Sequence, residues 1–255
     1  YSDLFLFDIN GNLLYTVVKE SDFATNILSG PLNETHLNRV YVKALNQTDL
    51  SKPSFEDYLL YEPSNNQPAS FIALPVIDNG KRIGVVAFQM PTALINKIMQ
   101  VTIGMGESGE TYLVGPDNLM RSDSRFFDQS SILKTKVDTK ASQAAFNGTL
   151  SVSIIKDYRG IEVYSAFTTI NVFGTTWALI SEIDSEEVLY PIKTMKTLII
   201  LSVLVVMCII FAFGYILATN ISRPIVEMTE TMNKLANNEL NVDIAITGRQ
   251  DEIGF

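Results

Sequence analysis

Residues 197–219 read TLIILSVLVVMCIIFAFGYILAT, and after Asn220 the chain continues Ile221-Ser222-Arg223-Pro224-Ile225. The run carries no charge, and its 23 residues at 1.5 Å each span ~34 Å, enough for a hydrocarbon core of ~30 Å. A core helix in a soluble protein is usually shorter and striped with polar residues. Residues 197–219 are therefore expected to be a transmembrane helix, with about 195 residues before it and about 35 after it. A chain divided in this way suits signalling across a bilayer better than turnover of a substrate.

The bulk numbers narrow the field further. Apolar residues are 47% of the chain, enough for a true core outside the membrane. The net charge of −9 and the lack of any Lys/Arg cluster exclude a general nucleic-acid binder. The single cysteine, Cys208, lies inside the apolar run and can form neither an intramolecular disulfide nor a Cys-based zinc site. His36 is the only histidine and is read as a solvated or core residue. No catalytic group, metal site or cofactor is expected. The chain starts in a strand pattern with no leader, so it is read as cut at both ends, its first membrane anchor missing.

Before the span the pattern is mixed α+β. Residues 4–9 and 13–18 flank Asn10-Gly11, the strongest short-range hairpin signal, because both residues tolerate the positive φ of a type I′ turn. Mixed helical character is read over residues 22–46, interrupted near Gly30-Pro31, with Leu37, Val40, Tyr41 and Leu45 on one face. Strands follow at 55–61, 69–77 and, after Asp78-Asn79-Gly80-Lys81, at 83–90. A connecting helix is read at 91–99. The order then returns: strands at 111–114 and 119–121, a helix at 141–146, and strands at 150–155, 163–167 and 177–183. Two copies of one antiparallel-sheet unit are expected, at 1–98 and 99–190. Lys193 and Lys196 before the span balance Arg223 and Lys234 after it, so charge does not orient it.

After the span, Ile225, Met228, Met232 and Leu235 form an a/d heptad seam that needs a partner helix, so a homodimer is expected. Pro224 sits where a helix can begin. Asn237-Asn238-Glu239-Leu240 ends the helix, Val242, Ile244 and Ile246 alternate along a connector, and Asp251-Glu252-Ile253-Gly254 opens a second helix. Residues 220–255 resemble the HAMP linker of bacterial transmembrane receptors. One departure is Asn238, where such linkers commonly carry Gly; Asn tolerates the left-handed conformation better than most residues. The resemblance implies a relay role for Pro224 and Glu252.

With that anchor, residues 1–188 resemble a double Cache sensor, a pair of PAS-like modules. The stretches that carry this are Phe55-Glu56-Asp57-Tyr58, Tyr61-Glu62-Pro63-Ser64, Pro68-Ala69-Ser70-Phe71, Gly84-Val85-Val86-Ala87-Phe88-Gln89, residues 106–114 and residues 119–125. The resemblance implies an extracytoplasmic sensor, a cytoplasmic linker and a location in the bacterial inner membrane. Strand alternation places Phe55, Asp57, Leu59 and Tyr61 on one face, and Asp57, Tyr61, Ser64 and Phe71 are expected to line a distal ligand pocket. Arg121, Asp123 and Arg125 are either a second site clamping an anion or a structural salt-bridge network. The amino-acid motif of some double Cache sensors needs a Trp in the distal module, whereas the only Trp here, Trp177, lies in the second.

The functional expectation is a methyl-accepting chemoreceptor that senses a small molecule, a carboxylate among the candidates, and acts through cytoplasmic signalling proteins. The alternatives are a sensor histidine kinase or cyclase with the same input, and a membrane-anchored extracytoplasmic enzyme. No nucleophile–base pair or phosphate-cradling loop supports the last of these.

Overall fold

Alternate residues are buried along β1 (Asp3–Asp8), which puts Phe5 and Phe7 inside and Leu4 and Leu6 half outside. β1 belongs to a five-stranded antiparallel sheet with β2 (Leu13–Thr16), β3 (Ser54–Tyr61), β4 (Gln67–Asp78) and β5 (Lys81–Gln89), in the order β2-β1-β5-β4-β3. The computed structural model describes residues 1–239 and 241–242. Helix α1 (His36–Asn46) covers this sheet with Leu37, Val40, Tyr41 and Ala44. Its start is fixed by Thr35, whose side chain accepts from the Asn38 N–H.

After α2 (Thr92–Met99) a second antiparallel sheet forms from β6 (Glu110–Val114), β7 (Ser151–Lys156), β8 (Glu162–Val172) and β9 (Thr175–Asp184), in the order β6-β9-β8-β7. Helix α3 (Lys140–Phe146) opens on a capping box between Thr139 and Ser142 and packs Ala141 and Ala145 onto that sheet. Both sheets lie in the compact unit Tyr1–Leu189. The remaining unit, Tyr190–Phe255, holds most of helix α4 (Ser185–Leu217), a π-helical turn at Ala218–Ser222 and helix α5 (Arg223–Ala236).

Several expectations need correction. The Asn10-Gly11 turn is not type I′: of the two only Gly11 has positive φ, the Asp8 carboxylate accepts from the Asn10 and Asn12 N–H groups, and a bulge interrupts the β1–β2 register. The Asp8 side chain therefore shapes a wider loop. At Asn79-Gly80 both residues do have positive φ, as a type I′ turn requires. Residues 22–35 are turns rather than helix, and helix begins only at His36. Residues 119–121 contribute isolated bridges, Val114 to Met120 and Leu119 to Lys136, instead of a strand.

Among the described residues one continuous helical stretch, Ser185–Ala236, is long and apolar enough to cross a membrane by length and composition. Leu198, Phe211 and Tyr215 on it are exposed. Pro224 stands in the first turn of α5, and Asn238 takes φ +69° just beyond the helix end, the left-handed stop anticipated for it. Ile225, Met228, Met232 and Leu235 are all exposed in the single chain. The connector beyond Val242 and the opening of the second helix, with Glu252, lie outside the described residues.

Candidate functional site

A bulge decides where the side chains of β3 point. The register against β4 shifts between Glu56 and Leu59, so Phe55, Tyr58 and Tyr61 are buried while Leu59 and Leu60 are exposed. Simple alternation from Phe55 to Tyr61 fails there because one extra residue is taken up without a partner. Tyr61 joins the core under α1 with Phe71, Phe5 and Phe7. Phe55 and Tyr58 instead join Leu113 and Trp177 of the second sheet.

Asp57 goes with the second group. Its carboxylate takes Arg121 Nε and Nη2, each at 3.0 Å, and the Trp177 indole N–H at 3.1 Å. Arg121 is 2% exposed and also donates to Asp117 and the Leu119 carbonyl. Burial pulls its pKa down, but the hydrogen bonds to Asp57 and Asp117 outweigh that and hold it above the ordinary value. Gly115 lies flat against this guanidinium, where a Cβ would come within 2.2 Å of Arg121 Cζ. The expected grouping of Asp57 with Tyr61, Ser64 and Phe71 is therefore not what the backbone produces. Asp57 ties the two sheets together from the other side of the strand.

Nor do Arg121, Asp123 and Arg125 converge. Asp123 accepts from the Asn96 side chain, the Ser130 hydroxyl and the Ser131 N–H. Arg125 donates to the Gly109 carbonyl and lies over Phe126. Of the two readings, Arg121 realises the salt-bridge one, with its donors committed to protein oxygens.

At one end of the first sheet an open cleft of about 510 Å³ is lined by the last residues of β5, the start of β4, the segments around Val18–Glu20 and Ser64–Asn65, and Asp123, Ser130 and Ile132. The loop leaving β2 is fixed by Asp3, which is buried and accepts from Thr16 Oγ1 and the Val17 and Val18 N–H groups. That places Glu20 on the cleft, where Ser64 donates to it at 2.7 Å, and Asp22 behind it, where the Tyr61 hydroxyl donates at 2.8 Å. Asp22 is fully buried, and its second oxygen has no partner among the described residues. Desolvation raises its pKa; Tyr61 opposes the rise, and the charges of Glu20 and Asp3 add to it. Phe71 and His36 pack against the Tyr61 ring, at 5.1 and 5.6 Å between centroids.

Gln89 is the residue that sequence reasoning passed over. Val85, Ala87 and Gln89 share the buried face of β5, the first two inside the apolar core. Gln89 is only 8% exposed and lines the cleft. A polar residue at a core-facing position of an otherwise apolar strand was the available signal. The second sheet has its own buried polar group: Glu110 and Glu182 stand directly opposite each other, with the Tyr158 and Tyr112 hydroxyls donating to them. Among the described residues no group of three or more His, Cys, Asp or Glu is placed to hold a metal ion.

The sequence profile of the Cache domain matches residues 1–192, three quarters of the chain. The chain belongs to the Cache domain family. A HAMP domain profile matches residues 216–255 downstream of the Cache domain. Sensor and relay domains of these kinds make the chain a receptor segment, not an enzyme. A curated relative, "Probable chemoreceptor y4sI" of Sinorhizobium fredii, is 25% identical over 257 residues, covering 100% of this chain and 32% of its own length. The chain thus spans about a third of that relative. The periplasmic sensory domain of the Campylobacter jejuni chemoreceptor Tlp1 superposes with a TM-score of 0.52 at 16% identity, covering 74% of each chain, and so shares the fold. The ligand-binding domain of the Pseudomonas aeruginosa amino acid chemoreceptor PctB, in complex with L-Arg, gives 0.49 at 16% identity over 73% of this chain and 72% of that one.

Proposed function

We propose that this Cache unit senses a small molecule outside the cytoplasm and passes the signal through α4 to the HAMP segment, as part of a methyl-accepting chemoreceptor in the bacterial inner membrane. The observation that carries this is the order along the chain: a Cache match, a helix of membrane length, then a HAMP match. The chemoreceptor relative, matched along the whole of this chain, supports the output. In this reading the two sheets are tandem copies, at 1–98 and 99–190, since β6-β9-β8-β7 repeats the β1-β5-β4-β3 order. The exposed α5 seam pairs with a second copy. Pro224 and Glu252 serve the relay, and cytoplasmic signalling proteins receive the output.

The ligand is assigned to the cleft beside the first sheet, with Ser64 on its wall and Tyr61 and Phe71 supporting the loop behind it. A ligand acts by its difference in affinity for two arrangements of the receptor. The test is thermal unfolding of the whole chain in lipid nanodiscs against a broad metabolite library. A ligand at 100 times its Kd adds ~2.7 kcal/mol. The expected result is a stabilising hit that Ser64→Phe, which fills the cleft, removes. A hit untouched by Ser64→Phe would put the site elsewhere, and a well-folded chain with no hit would count against direct sensing.

A further inference from the structure

The second sheet buries two facing carboxylates. Glu110 on β6 and Glu182 on β9 are directly opposite in the strand pair and are 4% and 3% exposed. Like charges directly opposite destabilise an antiparallel pair, and a buried carboxylate without a counterion is costly. Among the described residues neither makes an ion pair. Their hydrogen-bond donors are neutral: the Tyr112 hydroxyl to Glu182 at 2.8 Å, and the Tyr158 hydroxyl and Arg125 N–H to Glu110 at 2.6 and 2.9 Å. The Arg125 guanidinium turns to the Gly109 carbonyl, and Arg159 is committed to Asp157 and Asp184. α3 buries only Ala141, Ser142 and Ala145 and so brings no charge to the pair.

Two polar atoms beside the pair are left open. Glu182 Oε1 has no partner among the described residues, and neither does the hydroxyl of Ser165, fully buried at the facing position of β8. Buried polar atoms are normally satisfied, so this open oxygen suits a ligand small enough to sit between strands. A proton is such a ligand. On Oε1 it removes one charge of the pair and makes that oxygen a donor, which a serine hydroxyl can accept. Burial raises the Glu182 pKa, the nearby Ser165 and Tyr112 hydroxyls oppose the rise, and the charges of Asp157 and Glu110 add to it. A metal ion fits less well, because no three-donor set gathers among the described residues.

The same two strands hold the start of α4. β9 runs from Glu182 through Ile183 and Asp184 directly into it. Just before β6, the Glu107 and Ser108 N–H groups donate to Glu187 of α4 at 2.9 and 2.8 Å, and the Ser108 hydroxyl donates to the same carboxylate. The Asp184 N–H donates to that hydroxyl at 3.1 Å. Gly106, at φ +65°, permits the approach, since a Cβ there would stand 2.1 Å from Glu187 Oε1. Repulsion between Glu110 and Glu182 therefore acts on the two strands that grip α4.

From this arrangement we infer that Glu182, faced by Glu110, is a proton-binding site through which acidification tightens the grip of β6 and β9 on α4. The site is separate from the cleft and needs no ligand there. Only the source of the proton, the medium outside the cytoplasm, rests on the orientation proposed above.

The test uses the whole chain in nanodiscs. Infrared spectra should show a protonated carboxyl band growing as pH falls towards 4.5, with its midpoint above 4.5, in the parent and not in Glu182→Gln. Subtracting the two removes the contribution of Asp22. Glu110→Gln should weaken proton binding at Glu182 ~10-fold. A folded pKa above 4.5 means that the bound proton stabilises the fold and that this stabilisation is lost as pH rises through the folded value. At neutral pH Glu182→Gln stands for the protonated form, so amide exchange over residues 107–108 and 185–189 should slow several-fold, with exchange in the first sheet unchanged. Glu110→Gln also removes one of the two charges and should slow the same amides, so the exchange test survives if Glu182→Gln does not fold. A midpoint at or below 4.5 overturns the site. Calcium suppressing the band overturns it in favour of a metal. Unslowed exchange in both variants overturns the action on α4.

Discussion

Asp57→Ala should lower the stability of the Cache unit by about 3–5 kcal/mol, the typical cost of leaving one half of a buried ion pair behind. Arg121 would keep only Asp117 and a carbonyl, and the Trp177 N–H would lose its acceptor. At roughly 2–4 °C per kcal/mol for a domain of this size, the midpoint should fall by roughly 6–20 °C. The double variant Asp57→Leu with Arg121→Met should recover much of that loss, because it removes both charges and fills the space with apolar groups. Thermal unfolding followed at the Trp177 fluorescence reads both. If Asp57→Ala shifted the midpoint by less than 2 °C, the pair would not be what couples the two sheets.

A second large effect should appear in acid. His36 is 2% exposed at the start of α1, its Nε2 2.9 Å from the Ala69 carbonyl and its ring 4.8 Å from that of Phe71. Nε2 must carry the proton to donate to that carbonyl, and burial is what keeps the folded imidazole neutral. Burial pushes its pKa down to about 4 from 6.5, the Ala69 hydrogen bond opposing the shift. A group with a depressed folded pKa stabilises the fold above its unfolded pKa, and that contribution is lost as pH falls from 6.5 towards 4. The loss amounts to about 3 kcal/mol. Denaturant unfolding at several pH values should therefore show His36→Gln with a flatter acid profile than the parent across this window. The difference between the two profiles isolates His36 from Asp22 and Glu182, whose carboxyls burial shifts upward. Parallel profiles would show that His36 becomes solvated in solution.

The parts legible in the sequence were those written in repeated local patterns. An uncharged run of membrane length, the 3-4-3 spacing of Ile225, Met228, Met232 and Leu235, and alternation in β1 and β5 each state their structure within a few residues. Tyr61 and Phe71 were recognisable as neighbours because each stands at a buried position of its strand. Asp57 was misplaced because β3 bulges after Glu56, and nothing in Phe55-Glu56-Asp57-Tyr58 marks a bulge. Its partner lies 64 residues away, as the Asp22 partner of Tyr61 lies 39 away. Such pairings are set by how sheet and loop come together, not by spacing along the chain. Residues 22–35 carry enough apolar side chains to suggest a helix, yet Asp22, Thr25 and Asn26 turn the backbone with local hydrogen bonds instead. Gln89 could have been found, since it breaks an apolar strand face where a buried amide needs a reason.

In the proposed function, occupancy of the Cache unit is transmitted through α4 to the HAMP segment. This is tested most directly by joining this chain to the cytoplasmic signalling region of a chemoreceptor whose kinase control is established, and measuring kinase activity in membranes as ligand is added. The expected result is a saturable change whose midpoint matches the binding constant and which Ser64→Phe abolishes. Binding at full occupancy with kinase activity unchanged, in a chimera that still activates its kinase, would contradict it.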